Sequence, residues 1–152
     1  MSESLQQKFA PQSICFGCGL ANEKGLRIES HVQGDRLVAQ FSPQKHHQAF
    51  ENIVNGGIIG SLLDCHCNWT ASYTLMQDQG LSQPPCTVTA KYEIKLLAPT
   101  PMGTLHLESW VESREGSKVW VCGEIKAGGK VTATCKGLFV AVKPDHPAYH
   151  RW

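Results

Sequence analysis

The chain has 152 residues, of which 41% are hydrophobic and 18% charged, and its formal net charge is +1. That is enough apolar material for one packed domain and too little charge for a disordered chain. No dense basic run occurs, which argues against nucleic acid as the main partner, because neutralising a phosphate backbone takes clustered Lys and Arg.

The first eight residues carry no basic stretch followed by an apolar one, so no signal peptide is expected. No run of about 18 apolar residues occurs, so no membrane span is expected. Seven cysteines are scattered along the chain. Their odd number reads as reduced thiols of a cytoplasmic protein rather than a disulfide framework.

Residues 1–25 read as irregular, with Pro11 and the turn-favouring Gly17, Gly19, Asn22 and Gly25. Residues 26–32 alternate apolar and polar, as a half-buried strand does, and after a turn at Gln33-Gly34-Asp35 residues 37–41 complete a hairpin. Residues 42–52 form a polar loop in which His46, His47 and Gln48 read as surface residues. From Gly57 to Gln77 apolar residues recur at helical spacing: Ile58, Ile59, Leu62, Leu63, Trp69, Tyr73 and Met76 form one broad stripe. Opposite it lie Gly57, Gly60, Ser61, Asp64, Asn68 and Ala71, a small-residue face with room for a ligand or a partner subunit. Asn55 and Gly56 suit the cap region.

Beyond Pro84-Pro85 the period becomes two: Val88, Ala90, Tyr92, Ile94 and Leu96 alternate with Thr87, Thr89, Lys91, Glu93 and Lys95. On that parity Thr89 faces away from this subunit's own core. Further strands are expected over 104–112, 118–126 and 131–142, with turns at 114–117 and 127–129, and residues 144–152 form a C-terminal tail. The order is two strands, a long helix, then four strands, within a single domain spanning 1–152. The fold class is therefore α+β with an antiparallel sheet. One helix covers only one face, so the sheet is expected to wrap around it and leave an edge for a second subunit to pair.

This element order resembles the hot-dog fold. The stretch from Asn55 through Gly56 and Gly57 to Leu62 and Asp64 resembles the His-Gly-Gly-x4-Leu-x-Asp motif of PaaI-like hot-dog thioesterases. Cys15-Phe16-Gly17-Cys18-Gly19 with Gly25-Leu26, the Thr89-Ala90 pair and Ala98-Pro99-Thr100-Pro101 are similar to the THEM-like branch of that superfamily. The resemblance covers about residues 13–143. It implies hydrolysis of an acyl-CoA or aroyl-CoA thioester by a homodimer or homotetramer, with CoA as part of the substrate and no other cofactor or metal. It assigns Asp64 as general base (or, in some branches, nucleophile), a backbone N–H of Gly56 or Gly57 as the group that polarises the carbonyl, and Thr89 as the residue that helps place water. The family usually carries His where this chain has Asn55, and Asn caps a helix but does not titrate near neutral pH.

The chemistry of these residue types supports the same assignment. Thioester hydrolysis places negative charge on the carbonyl oxygen, and free N–H groups at a helix N-terminus stabilise it. Asp64 is the only carboxylate between Glu51 and Asp78, and Asp has poor propensity in mid-helix. The plain alternatives are an ordinary cap at Asn55, a hydrogen-bonded Asp64 and a β-branched strand residue at Thr89. Lys95, Arg114 and Lys118 read as solvated charges rather than CoA ligands.

Other functions remain open on the sequence. A non-catalytic acyl-CoA or acyl-carrier binding protein is motivated by Asn55. A hydratase would need a His in the helix–loop region. A zinc-stabilised interaction domain is motivated by Cys15-x-x-Cys18 and Cys65-His66-Cys67. Against zinc, Cys65 and Cys67 stand about 200° apart around a helix, and no second pair closes the site.

Overall fold

The computed structural model describes residues 2–152; Met1, counted above in the domain and its irregular N-terminal segment, lies outside the described residues. The long helix, α2, runs over Gly56–Gln79. It starts where Asn55 turns its side chain back to accept from the N–H groups of Gly57 and Ile58, and it stops at Gly80, whose φ of 61° a side chain would strain. Four strands follow it: β5 (Thr87–Leu96), β6 (Leu105–Glu115), β7 (Lys118–Ala127) and β8 (Lys130–Ala141). Before it come β1 (His31–Gln33), β2 (Arg36–Phe41) and the short β3 (Gln48–Phe50) and β4 (Ile53–Val54).

Six strands form one antiparallel sheet in the order β1-β2-β6-β7-β8-β5, with α2 packed against it. Along β7 every second residue is buried, Val119, Val121, Ile125 and Ala127 among them, and these meet Leu62, Leu63 and Leu75 of α2 in one core. Fully burying an aliphatic side chain of this size contributes about 1.5–3 kcal/mol. β1 and β5 end the sheet, so β5 carries one free ladder edge.

The expected division of α2 into a bulky core face and an open small-residue face does not hold. Gly60, Asn68 and Ala71 are buried, while Ile58 and Tyr73 are only half-buried. The helix is covered on a second side by the N-terminal segment. Trp69 Nε1 donates to Cys18 Sγ (3.3 Å), and His66 Nδ1 meets Ser30 Oγ (2.8 Å). A helix buried nearly all round needs no amphipathic stripe.

That segment is less irregular than expected. A short helix, α1 (Leu5–Phe9), is opened by a capping box between Ser4 and Gln7. Residues 26–30 do not join the sheet, although Leu26, Ile28 and Ser30 are buried in alternation. Leu26 and Ile28 donate their N–H groups to Phe16 O and Gly17 O instead, and Arg27 takes a φ of 54°. The loop before α2 is also ordered: it holds a 3-10 turn (Lys45–His47) and the β3–β4 ribbon. His47 is buried, not on the surface; its Nδ1 accepts from Gln44 N–H (2.9 Å) and its ring packs on Phe41. The C-terminal tail docks as well, with the Trp152 ring stacked on buried Trp69 at 4.4 Å. Among the described residues no helix is long and apolar enough to cross a membrane.

Candidate active site

One row of α2 lies against β5, and it consists of the small and polar residues. A β-carbon added at Gly56 would come within 3.3 Å of Leu96, and one added at Gly60 within 3.9 Å of the Tyr92 hydroxyl. Asp64 then meets Thr89, and Asn68 meets Thr87. The spacing of four along α2 keeps the row on one side of the helix. The strand partners descend as 96, 92, 89 and 87, so one step is odd.

That step is a bulge. The β5–β8 ladder shifts register between Thr89 and Lys91, leaving Ala90 as the extra residue. A bulge inserts one residue and reverses the alternation beyond it. Thr87 and Thr89 therefore face α2 on one side of it, and Tyr92 and Leu96 on the other. The expectation that Thr89 turns away from its own subunit's core fails for this reason: sequence alternation through Ala90 looks unbroken, whereas the backbone is not.

Thr89 Oγ1 donates to Asp64 Oδ1 at 2.6 Å, a short bond of the kind ionised acceptors form. Asp64 is half-buried. Burial pushes its carboxyl above the ordinary carboxylate range. The Thr89 hydrogen bond works the other way, a negative charge on Cys15 adds to the rise, and Arg151 from the docked tail opposes it. One turn on, Asn68 and Thr87 satisfy each other: Thr87 Oγ1 donates to Asn68 Oδ1 (2.8 Å), and Asn68 Nδ2 donates to Thr87 O (3.2 Å).

At the start of α2, Asn55 Oδ1 accepts from Gly57 N–H (2.7 Å) and Ile58 N–H (3.3 Å). Of the two amides expected to polarise a carbonyl, that of Gly57 is thus already engaged. Gly56 N–H has no acceptor among the described residues. An apolar groove of about 410 Å³ opens beside it, lined by Phe50, Ile53, Ile59, Leu96 and Leu97. A cleft at the other end of α2, about 370 Å³, is lined by Asp78 and Arg114, which pair with each other at 2.7 Å.

Two further features lie beside this row, the second of them gathering three of the cysteines weighed above as zinc ligands. His66 is fully buried yet satisfied: Leu37 O only accepts, so Nε2 (3.0 Å away) carries the proton and Nδ1 accepts from Ser30. Burial lowers its pKa to about 4. The thiols of Cys15, Cys18 and Cys65 also gather within 4.8 Å of one another, the one cluster of potential metal ligands found among the described residues. Cys67 points elsewhere, toward Gly123, where any β-carbon would crowd its sulfur.

No protein-family model and no curated protein sequence matches the chain. Solved structures do. A conserved protein of Pseudomonas aeruginosa is 19% identical, over 77% of this chain and 90% of its own, with a TM-score of 0.66. The PaaI protein from the phenylacetic acid degradation operon of Escherichia coli is 20% identical, over 81% of this chain and 85% of its own, with a TM-score of 0.66. These likenesses establish the hot-dog fold, with its antiparallel sheet and single long helix. A thioesterase superfamily protein from Shewanella loihica goes further: it is 32% identical, over 81% of this chain and 97% of its own, with a TM-score of 0.66. The chain belongs to the thioesterase superfamily.

Proposed function

We propose that the protein hydrolyses an acyl-CoA or aroyl-CoA thioester, with Asp64 as general base. The observation that carries this reading is the half-buried Asp64 carboxylate fixed by Thr89 on the β5 row of α2. In the step envisaged, Asp64 takes a proton from water as the water oxygen attacks the thioester carbonyl carbon. The tetrahedral intermediate then collapses, the carbon–sulfur bond breaks, and the proton passes to the departing CoA thiolate. The products are a carboxylic acid and CoA. Positioned acid–base groups of this kind supply about 10²–10⁴-fold.

The developing oxyanion is assigned to Gly56 N–H, and the acyl or aryl group to the apolar groove beside it. Eight residues separate Gly56 from Asp64, about 12 Å along the axis at 1.5 Å per residue. A carbonyl held at Gly56 and a water held at Asp64 of the same helix are too far apart to react. The reading therefore places a second copy against the free edge of β5, so that Asp64 of one copy works with Gly56 of the other. The exposed Tyr92, Leu96 and Leu97 on and just beyond that strand favour burial by such a partner.

A second reading, acyl-CoA binding without turnover, is favoured by Asn55, which occupies two of the amides at the helix start and cannot titrate. Thiol release from a panel of short, long and aromatic acyl-CoAs separates the two. Turnover that falls at least about a hundredfold in Asp64→Ala and Asp64→Asn, with the fold intact, supports hydrolysis. CoA binding without wild-type turnover supports the second reading, and turnover indifferent to both substitutions removes Asp64 from the mechanism.

A further inference from the structure

We propose that Cys15, Cys18 and Cys65 form a three-thiolate site for a thiophilic divalent cation, zinc being the ion that their chemistry favours. The inference stands apart from thioester hydrolysis and does not depend on it. All three sulfurs lie within 4.8 Å of one another, and those of Cys15 and Cys65 are 3.7 Å apart. A disulfide requires about 2.05 Å, so the thiols are close without being bonded. With zinc–sulfur bonds of about 2.3 Å, the edge of a tetrahedron of sulfurs is about 3.8 Å. The Cys15–Cys65 distance matches that edge, and the other two pairs lie no more than about 1 Å beyond it.

The local sequence is built to bring these thiols together. Cys15-x-x-Cys18 has the ligand spacing of zinc loops. A β-carbon at Gly17 would collide with Cys65 Sγ, and one at Gly19 with the Cys15 backbone. Both positions thus need glycine for the loop to close on α2. Cys65 comes from the helix, so the earlier objection loses its force: only one of Cys65 and Cys67 has to face the ion.

The surroundings suit thiolates. Trp69 Nε1–H donates to Cys18 Sγ (3.3 Å), the kind of outer hydrogen bond that fixes a metal-bound sulfur. The thiolate, not the thiol, is the ligand, so binding displaces the thiol protons. Cys18 is buried and the other two are half-buried, which leaves the fourth position to a water reached from the solvent side. Three protein ligands with one open position is an established zinc arrangement. Such an ion ties the 15–18 loop to α2 one residue from Asp64.

The test uses the full-length protein, reduced and stripped with a chelator, then titrated with zinc or cobalt(II) alone. About one ion per chain is expected, with thiolate-to-cobalt charge-transfer absorption, a rise in melting temperature, and protection of three thiols from alkylation. Cys15→Ser and Cys65→Ser are each expected to weaken binding at least about a hundredfold, beyond the loss typical of an outer-sphere change. Cys122→Ser on β7 should leave binding unchanged. Circular dichroism of the metal-free variants shows that the fold survives, and if one serine variant fails to fold the other carries the comparison. Absence of cobalt charge transfer in the wild type, or binding that persists in both serine variants, overturns the proposal.

Discussion

Thr89 reaches Asp64 across 2.6 Å only because Ala90, next to it, is left out of the β5–β8 ladder. The hydroxyl both orients the carboxylate and opposes the effect of burial on it. Thr89→Val keeps the shape and removes the donor. Hydrogen bonds to charged groups contribute about 1.5–3 kcal/mol, so thioester turnover should fall about tenfold to a hundredfold. Thr89→Ser should recover most of it. Steady-state thiol release decides, and a Thr89→Val enzyme as fast as the wild type would sink the positioning role.

Deleting Ala90 removes the extra residue and makes the alternation of β5 regular, with Thr87, Thr89, Tyr92 and Leu96 all still on the α2 side. Asn68 and Asp64 therefore keep their strand partners. Urea unfolding of the deletion variant is expected to stay within about 1 kcal/mol of the wild type, below the cost of about 1–3 kcal/mol for each buried polar group left without a partner. A loss of several kcal/mol would mean that the pairs depend on the bulge itself rather than on the shared face.

Asn55 holds two amides of the first turn of α2. Asn55→Ala should cost about 1 kcal/mol, whereas Asn55→Asp, which keeps the acceptor and adds charge at the positive end of the helix dipole, should be near neutral. Urea midpoints at constant slope test this, and equal losses in the two variants would refute the cap as the cause.

His66 links stability to pH. Its pKa is about 4 in the folded protein against an ordinary value of 6.5, so between these values the unfolded chain binds the extra proton. The contribution is therefore complete above pH 6.5 and is lost as pH falls toward 4. From pH 7 to pH 5 this amounts to about 2 kcal/mol. Metal-free wild-type protein should lose that much more stability over the interval than His66→Gln does. Parallel curves for the two proteins would show that His66 is not kept neutral by the fold.

Much of the architecture is legible in the pattern of residues. The bounds of α2, β2, β5, β7 and β8 follow from helical or twofold periodicity and from Gly and Pro punctuation, to within about two residues. The place of Asp64, two turns into α2, is legible as motif spacing. What escapes is whatever depends on contacts far along the chain. Nothing local marks Ala90 as a bulge, since Ala is as acceptable in either phase of a strand. Residues 26–30 alternate like a strand, yet their ladder partner is the Cys15–Cys18 loop. The small residues of α2 look like an open face and are a close-packing seam, because smallness suits a ligand and a neighbouring strand equally.

The covering of α2 by the N-terminal segment has a kinetic meaning. Cys18 waits 51 residues for Trp69, and Ser30 waits 36 for His66. On the ribosome these first thirty residues emerge before anything that they lie against exists. They gain little from ordering until α2 is held by the sheet, and the sheet needs β5 to β8, the last strands made. The opening of the chain is thus the closing act of folding: it zips over a helix already in place and seals Trp69 and His66 from water. Amides at residues 13–30 should consequently gain exchange protection after those of β7 and β8 in refolding, although they are synthesised before those strands.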